Sequence, residues 1–322
     1  PAAQRPGGRA ALARAEAGGG PPEARSAAAL LEEARGEHDG RRDLGSFIKR
    51  ADHLTHDDVP VACEVVRGQV VRLSIDQAGC FLIQSLLERA QIPMQKQLVA
   101  EMHGHVVELL ESQHGNHVLQ KAIETLPPTA VLFVLRELCE RRRPRALARH
   151  KYGCRVLERL LEHFPMPDIR HVIEDILCDV TAISEDPYGN FVVQHILEHG
   201  DGEHRARIAR ALGADVRLAA THPNVCLVLN KALTYAAPGD QRSLVEAVLA
   251  QELLAEMAVQ RTGFATTLRL FKVAAGPLLQ EAHRQLQADA RRIESTKHGR
   301  ALFDIVSRES PSADAVDDWD TT

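Results

Sequence analysis

The sequence predicts an all-α solenoid, and three observations support that fold class. Seven similar segments recur along the chain at a nearly constant spacing, and the residues between them place Leu, Val and Ile at helical intervals. The composition is rich in Leu, Ala and Glu and only 4% aromatic, which favours helix. A chain of 322 residues exceeds the usual size of a single core, so two domains or a repeat array are expected. The regular recurrence favours the array.

The recurring segments align on a glycine position and on the residue that follows it, here called the anchor of each unit. The segments read DQAGCFLIQSLLERA, SQHGNHVLQKAIETL, HKYGCRVLERLLEHF, DPYGNFVVQHILEHG, HPNVCLVLNKALTYA, QRTGFATTLRLFKVA and TKHGRALFDIVSRES. The anchors are residues 80, 116, 154, 190, 226, 264 and 300, at intervals of 36, 38, 36, 36, 38 and 36 residues. A single unit cannot bury its own apolar face. We therefore expect at least two helices per unit and one core shared between stacked neighbours.

Two of the intervals are 38 residues long instead of 36, and each of them predicts two extra residues outside the stacked helices. For the first of these intervals, the predicted positions are the stretches TLPPTA and CERRRPRALARHK, since their prolines and charges suit exposed connections.

Composition divides the chain into three regions. Residues 1–43 consist mostly of Ala, Gly, Pro, Arg and Glu, so we expect low-complexity, disordered chain with a transient helix near SAAALLEEAR. Residues 44–309 form the repeat array, with six evident repeats, a final partial unit and, around DLGSFIKRADHL, a degenerate N-terminal cap. Residues 310–322 form an acidic tail.

Charge and motifs exclude several classes of protein. The formal net charge of −5 counts against a nucleic-acid binder that depends on overall positive charge, although it leaves room for a locally basic groove. No apolar run reaches the roughly 18 to 20 residues needed to span a bilayer, so we expect no membrane insertion. No GxGxxG, P-loop or HExxH motif occurs, so we expect neither catalysis nor a cofactor.

The cysteines and histidines do not form an obvious metal or disulfide pattern. No CxxC pair and no secretory signal is evident, so we expect reduced, intracellular thiols. Cys80, Cys154 and Cys226 share one register in alternate units, where a solenoid keeps them too far apart to be joined. His195 and His199 are four residues apart but lack a third ligand at an evident spacing, so we expect no metal site.

A pair of side chains flanking a flat one recurs in four consecutive units. The anchor and the residue four positions later lie on one helical face, clear of the apolar stripe. These outer positions hold Cys80 with Gln84, Asn116 with Gln120, Cys154 with Glu158, and Asn190 with Gln194, and the residues after the anchors are Phe81, His117, Arg155 and Phe191. Rings and guanidinium groups stack on bases, while amides and carboxylates bind Watson–Crick edges. A solvated helix face explains one such set, but the repetition favours a ladder of unstacked bases.

The motifs GNHVLQK, YGCRVLERLLEH and YGNFVVQHILEHG resemble the recognition helices of the Pumilio (PUF) family of RNA-binding repeat proteins, over about residues 60–309. The resemblance implies a right-handed curved α-solenoid of Pumilio-type helical repeats that binds single-stranded RNA on its concave face, one base per repeat. It further implies that TKHGRALFDIV is a C-terminal capping half-repeat. It also implies a cytoplasmic monomer that binds mRNA 3′ UTRs and acts with decay or translational repressor proteins.

The family's code, applied to these residues, implies a specific RNA core. Asn with Gln resembles a uracil reader, Cys with Glu a guanine reader, and Cys with Gln an adenine reader. Because the family binds RNA antiparallel to the protein, units four to one spell 5′-UGUA-3′. In the fifth unit Cys226, Leu227 and Asn230 lack a planar group, so we expect weak contacts there. The sixth unit, with Phe264, Ala265 and Leu268, lacks polar readers altogether.

Three alternatives stay open from the sequence. Helical repeats of the HEAT or armadillo type would give a protein-binding scaffold instead. A nucleolar Pumilio-like protein in ribosome biogenesis would bind RNA with little base selectivity. The basic run RRRPRALARHK suits phosphate contacts, a nuclear-import signal or an ordinary solvated loop, of which we favour the loop.

Overall fold

The computed structural model describes residue 48 and residues 59–309, and this part of the chain contains helices without strands. The helices are α1 (Val59–Val66), α2 (Val70–Ile75), α3 (Gly79–Arg89), α4 (Ile92–Ala100), α5 (Val106–Glu111), α6 (Gly115–Thr125), α7 (Pro128–Arg141), α8 (Pro144–Ala148), α9 (Gly153–His163), α10 (Met166–Leu177), α11 (Val180–Glu185), α12 (Gly189–His199), α13 (Gly202–Ala214), α14 (Val216–Thr221), α15 (Pro223–Tyr235), α16 (Pro238–Ala250), α17 (Leu254–Val259), α18 (Arg261–Val273), α19 (Pro277–Ala288), α20 (Ala290–Glu294) and α21 (Lys297–Glu309).

The predicted disordered region 1–43 and acidic tail 310–322 lie outside the described residues. So does most of the predicted N-terminal cap around DLGSFIKRADHL. Only Ile48 of that stretch is described, and it is half-buried against the apolar core.

Each unit consists of a short helix, a middle helix that carries the anchor, and an outer helix. The middle helices are α3, α6, α9, α12, α15, α18 and α21. A short helix precedes each of them, and an outer helix follows each of the first six. The expectation of at least two helices per unit is confirmed. The periodicity did not separate the short helix, because a turn such as residues 101–105 divides what the sequence presents as one apolar-periodic stretch.

Stacking of consecutive units produces one continuous core. Each middle helix packs against the middle helices before and after it. The outer helices α10, α13, α16 and α19 also pack in sequence. Buried apolar side chains run without interruption from Val59 to Val306. The chain is therefore a solenoid in which neighbouring units bury each other's apolar faces.

The two extra residues of the longer intervals lie between a middle helix and the next short helix. Residues 126–143 and 236–253 are each two residues longer than 90–105, 164–179, 200–215 and 274–289. In the first case the predicted exposed connection is wrong, because the outer helix α7 has 14 residues where α10 has 12. Pro128 and Pro144 each lie in the first turn of a helix, where the missing amide hydrogen costs nothing.

A close contact between the short and middle helices explains the glycine before the anchor. A Cβ atom on Gly189 would lie 2.6 Å from the carbonyl oxygen of Ile183 and 2.9 Å from its Cγ2 atom. Gly79, Gly115 and Gly153 are equally confined, with the corresponding carbonyl oxygen at 2.5 to 2.6 Å. Unit five differs, since it has Val225 at this position and its middle helix begins earlier, at Pro223.

The Gly189→Ala variant tests this contact. We expect the free energy of unfolding to fall by about 1 to 3 kcal/mol, because the added methyl group must push the short helix away from the middle helix. Gly202→Ala is the matched control, since a Cβ at Gly202 meets no atom within 4 Å. Urea unfolding of both variants measures the difference, and equal stability of the two would contradict the explanation.

Candidate nucleic-acid interface

The structure brings the predicted site residues of four units into one row. They lie in the first turns of the middle helices α3, α6, α9 and α12, which stack side by side. In α12 the apolar stripe Val192, Val193, Ile196 and Leu197 is fully buried in the core. Because this stripe fixes the rotation of the helix, the adjacent polar positions are fixed with it. The row consists of Cys80, Phe81, Gln84, Asn116, His117, Gln120, Cys154, Arg155, Glu158, Asn190, Phe191 and Gln194, here called the reading row.

The start of each reader helix is held by a cap four residues before the anchor. The Asp186 carboxylate accepts hydrogen bonds from the amides of Tyr188 and Gly189, both at 2.8 Å. Asp76 and Ser112 make equivalent contacts in units one and two. In unit three the cap is a histidine, whose Nδ1 atom accepts from the amide of Gly153 at 3.0 Å. Capping satisfies amides that lack helical partners and so orders the turn that carries the anchor.

The two Asn–Gln pairs have the same geometry. Asn190 is buried, and its Nδ2 atom donates to the carbonyl oxygen of Asp186 at 2.9 Å. Gln194 is half-buried, and its Nε2 atom donates to Asn190 Oδ1 at 2.9 Å. In unit two, Gln120 donates to Asn116 Oδ1 at 3.0 Å, and Asn116 donates to a backbone carbonyl at 2.8 Å. Gln194 keeps its Oε1 atom and one amide hydrogen for an external partner, such as an imide N–H and carbonyl. Gln120 keeps its Oε1 atom, while its Nε2 atom also donates to the backbone carbonyl of Asn116 at 3.3 Å.

Unit three places a carboxylate where its neighbours place an amide. Glu158 is only 3% exposed, and both of its oxygens accept from the guanidinium of Arg155 at 2.9 Å. The guanidinium also lies 4.7 Å from the centre of the Phe191 ring of the next unit. A carboxylate this deeply buried needs a compensating donor. In the free protein, Arg155 supplies it.

The anchor cysteines are neutral, structural thiols. Cys154 is fully buried and its Sγ atom donates to the Lys151 carbonyl at 3.4 Å. Burial, with a smaller contribution from Glu158, raises the pKa of the Cys154 thiol to about 11. Burial likewise raises the pKa of Cys80. These thiols are therefore poor nucleophiles and act as small groups beneath the surface of the row.

The flat side chains of units one and two are open to solvent. Phe81 is 65% exposed, and its neighbour Gln84 donates to a backbone carbonyl within its own helix. His117 is also exposed, and desolvation of the ring together with His114 lowers its pKa, so the imidazole is neutral at pH 7. A large exposed ring on a packed helix is a platform for another planar group.

Units five and six differ from the first four. Cys226 is fully buried, and its Sγ atom donates to the Thr266 hydroxyl of the next unit at 3.4 Å. Thr266 in turn donates to the carbonyl of Cys226 at 3.1 Å, so this anchor is occupied by contacts between units. Asn230 is half-buried at the edge position. In unit six Phe264 and Leu268 pack against the core.

The structure contains a second row of residues that the sequence analysis missed. Eight residues after the anchor, units one to four have a glutamate, and each glutamate contacts a basic residue or histidine on the next middle helix. The pairs are Glu88 with Lys121, Glu124 with Arg159, Glu162 with His195, and Glu198 with Lys231. The same alignment of segments contained this signal, since the two positions recur with the period of the array.

Three arginines of the basic run form ion pairs with carboxylates of the array. Arg142 pairs with Glu111, Arg145 pairs with Asp175 at 3.1 Å, and Arg149 lies 3.6 Å from Asp179. These three arginines join unit three or the outer helix before it to carboxylates elsewhere in the array, so they contribute little free positive charge.

No metal site or membrane segment is found in the described part of the chain. Within residues 59–309 no group of three His, Cys, Asp or Glu side chains is arranged to hold a metal ion. The rings of His195 and His199 stack at 5.9 Å, and His195 is engaged by Glu162 at 3.0 Å. None of the described helices combines the length and apolar character needed to cross a bilayer.

Known proteins are similar to this chain over the whole reading row. The profile described as the Pumilio-family RNA binding repeat matches residues 69–103, 105–139, 145–177, 179–212 and 220–249. The first four matches each span one three-helix unit, and the fifth covers mainly the middle and outer helices of unit five.

Two relatives illustrate the extent of the sequence similarity. A Pumilio domain-containing protein of Schizosaccharomyces pombe is 22% identical over 275 residues, which cover 84% of this chain and 40% of the relative. Pumilio homolog 12 of Arabidopsis thaliana is 29% identical over 133 residues, 41% of this chain and 22% of that protein. The chain therefore spans less than half the length of these relatives.

Solved structures with the same fold confirm the predicted α-solenoid. PUF-8 in complex with PBE-RNA has a TM-score of 0.72 at 22% identity, covering 88% of this chain and 89% of that one. The Puf3 RNA binding domain bound to a Cox17 RNA 3′ UTR recognition sequence has a TM-score of 0.74 at 20% identity, covering 87% and 84%.

The histidine cap of unit three predicts a pH dependence of stability. Burial and the nearby Arg142 and Lys151 lower the pKa of His150, against a smaller opposing effect of Glu111. A lowered pKa means that the folded state binds the proton less readily than the unfolded state. The contribution of His150 to the free energy of unfolding is therefore fully present above the unfolded pKa of about 6.5, and it declines as the pH falls below that value. Protonation also removes the Nδ1 acceptor, which is worth about 1 kcal/mol as a cap.

The His150→Ser variant, which copies the cap of unit two, isolates this effect. We expect it to match the unmodified chain at pH 8 and to exceed it in free energy of unfolding at pH 5.5. Urea unfolding across this pH range measures the difference between the two chains, so the other histidines cancel. A constant difference at all pH values would show that the cap does not titrate.

Proposed function

Because the chain belongs to the Pumilio family of RNA-binding repeat proteins, we propose that its reading row binds single-stranded RNA with the core 5′-UGUA-3′. The observation that carries the proposal is the alternation of preorganised edge groups and flat side chains in four consecutive units. Preorganisation matters because a side chain already held in place loses little entropy on binding. The antiparallel direction and the base assignments come from the family's code.

Uracil matches the Asn–Gln pairs of units two and four. Uracil presents an N3–H donor flanked by carbonyl acceptors, and each glutamine offers its free Oε1 atom to that donor. Gln194 also has a free amide hydrogen for a uracil carbonyl, while Gln120 would exchange its contact with the Asn116 backbone carbonyl for one. The partner asparagine is already bound to backbone carbonyls, so its position changes little when a base arrives. In unit one, Gln84 would serve the adenine edge and Phe81 its face.

Guanine matches Glu158, because the N1–H and N2–H groups of guanine are two adjacent donors. They would replace the two hydrogen bonds that Arg155 makes in the free protein. Arg155, released from the carboxylate, would then stack on the base together with Phe191. The exchange keeps the buried carboxylate paired throughout. A base without those donors would leave it unpaired, which costs on the order of 1 to 3 kcal/mol.

Biologically, we propose that the chain acts as a cytoplasmic monomer on mRNA 3′ UTRs and represses translation or promotes decay with recruited proteins. The supporting observation is that one structural neighbour is described as bound to a 3′ UTR recognition sequence. A reporter mRNA carrying UGUA or UCUA in its 3′ UTR tests this role. Equal reporter output with and without the protein would contradict it.

The proposal is tested first by fluorescence anisotropy, which measures the affinity for short labelled RNAs containing UGUA or UCUA at fixed physiological salt. We expect UCUA to bind at least about tenfold more weakly, since one unpaired edge costs that much or more. Equal binding of both RNAs would favour the low-selectivity nucleolar alternative. Failure to bind either would favour the protein-binding scaffold.

A change of specificity is expected for Glu158→Gln. The variant gives unit three the Cys–Gln pair of unit one, so its preference should move from UGUA to UAUA, with the ratio of the two affinities reversing. Competition anisotropy measures both affinities. Glu203→Gln is the control, because it removes the same charge from the surface of α13 and should leave the ratio unchanged. An unchanged ratio for both variants would refute the assigned role of Glu158.

Loss of a stacking platform is expected for Phe81→Ala. Affinity for UGUA-containing RNA should fall by about 1 to 3 kcal/mol, while the melting temperature stays within the error of the measurement, because this ring is mostly exposed. Ile92→Ala, another exposed apolar residue that lies off the row, should change neither quantity. If both variants bind RNA as the unmodified chain does, Phe81 is not a stacking residue.

A further inference from the structure

The series of charged pairs in the second row of residues ends between unit five and unit six. In units one to four, a glutamate eight residues after the anchor faces a basic residue or histidine five residues after the anchor of the next unit. We call this series of pairs the carboxylate ladder. The glutamates are Glu88, Glu124, Glu162 and Glu198, and the groups they face are Lys121, Arg159, His195 and Lys231.

Each charge of the ladder is compensated from a neighbouring middle helix. The separations are 3.9 Å for Lys121 with Glu88, 3.7 Å for Arg159 with Glu124, and 3.0 Å for His195 with Glu162. Lys121 and Arg159 also pair with the glutamate three residues later in their own helix. The basic groups of the ladder are therefore largely neutralised and offer a phosphate little net attraction.

At the next step the ladder has no carboxylate. Thr234 occupies the glutamate position of unit five, and its hydroxyl donates to a carbonyl of its own helix. Arg269, half-buried at the basic position of unit six, has no ion-pair partner among residues 59–309. Unit six has the exposed Lys272 at the position where units one to four have a glutamate, so a positive charge replaces a negative one. Asp304, on the last middle helix, pairs with neither of them.

At the anchor, stacking and edge positions of these two units, only Asn230 keeps an amide side chain. Leu227 stands in place of a planar group, Cys226 is tied to Thr266, and Phe264 and Leu268 pack against the core. Uncompensated positive charge without base readers suits the phosphodiester backbone, which is the same for every sequence.

We infer that units five and six bind the RNA backbone through Arg269 and Lys272, and that they hold the nucleotides on the 5′ side of the core without base preference. The inference rests on the proposed function, since the antiparallel direction assigns the 5′ side to the later units. The interface then has two parts. Units one to four read bases, and units five and six attract phosphates.

Extended RNAs test the inference. Labelled RNAs consist of UGUA with three added nucleotides at the 3′ end, at the 5′ end or at both, and the 5′ addition is CCC, AAA or UUU. We expect the 5′ addition to raise affinity roughly tenfold at 0.1 M salt, by the same factor for all three sequences. Anisotropy titrations at several salt concentrations provide the affinities and their salt dependence.

Two kinds of variant locate the effect. Arg269→Gln with Lys272→Gln should abolish the gain from the 5′ addition and reduce the slope of log affinity against log salt by about 1.4, as expected for two lost contacts with a single strand. Thr234→Glu keeps both basic residues but restores the missing carboxylate. It should reduce the gain as well, and this result would not follow from a fold defect if the melting temperature is unchanged.

The matched control is Arg210→Gln with Arg242→Gln, which removes two positive charges from the outer helices α13 and α16. It should preserve the gain. The inference is overturned if the 5′ addition gives no gain, if the gain depends on its sequence, if only the 3′ addition gives one, or if Arg269 and Lys272 can be replaced without effect. Loss of binding to the core in every RNA would instead overturn the proposed function, and the inference with it.

Discussion

The close approach of each short helix to the middle helix that follows it governs the geometry of the array. In units one to four a glycine allows the two backbones to meet, and a cap four residues before the anchor orders the turn between them. The apolar stripe of the middle helix then fixes its rotation against the neighbouring units. Together these contacts fix where every reader residue lies. A repeat that lost the contact would still stack, but its polar face would be displaced relative to its neighbours.

The reading row combines buried polar groups with exposed flat ones, and the combination has a physical logic. Buried asparagines and the buried Glu158 are satisfied in the free protein by backbone carbonyls, glutamine or Arg155. The cost of burying polar groups is thus met before any ligand binds. The flat side chains of Phe81 and His117 remain accessible, and on the proposed function their role requires an incoming partner. Selectivity then depends on whether that partner can replace the contacts already present.

Charge along the array is organised locally, which explains how an acidic chain can carry a nucleic-acid interface. The net charge of −5 includes glutamates that neutralise the basic residues beside the reading row. Three arginines of the conspicuous basic run, Arg142, Arg145 and Arg149, are also paired with carboxylates. Where the ladder ends, Arg269 and Lys272 have no ion-pair partner among the described residues. Bulk charge is therefore a poor guide to the electrostatics that a ligand meets.

Periodicity in the sequence determined the fold class, the number of units and the residues of the reading row. These are local properties: an apolar stripe, an anchor and a residue four positions later must share helix faces whatever surrounds them. The prolines and charges near the extra residues of unit two predict a loop, yet these residues lengthen α7. A proline is compatible with a loop and also with the start of a helix.

Contacts between units were decided only by the tertiary structure. The pairing of Glu162 with His195 and the link between Cys226 and Thr266 each join residues more than 30 positions apart. Arg269 has no carboxylate partner among the described residues, because unit five holds Thr234 at the position of the ladder glutamates. A side chain's charge and type can be read from one position. Whether that charge is neutralised depends on distances that exist only when two units have stacked.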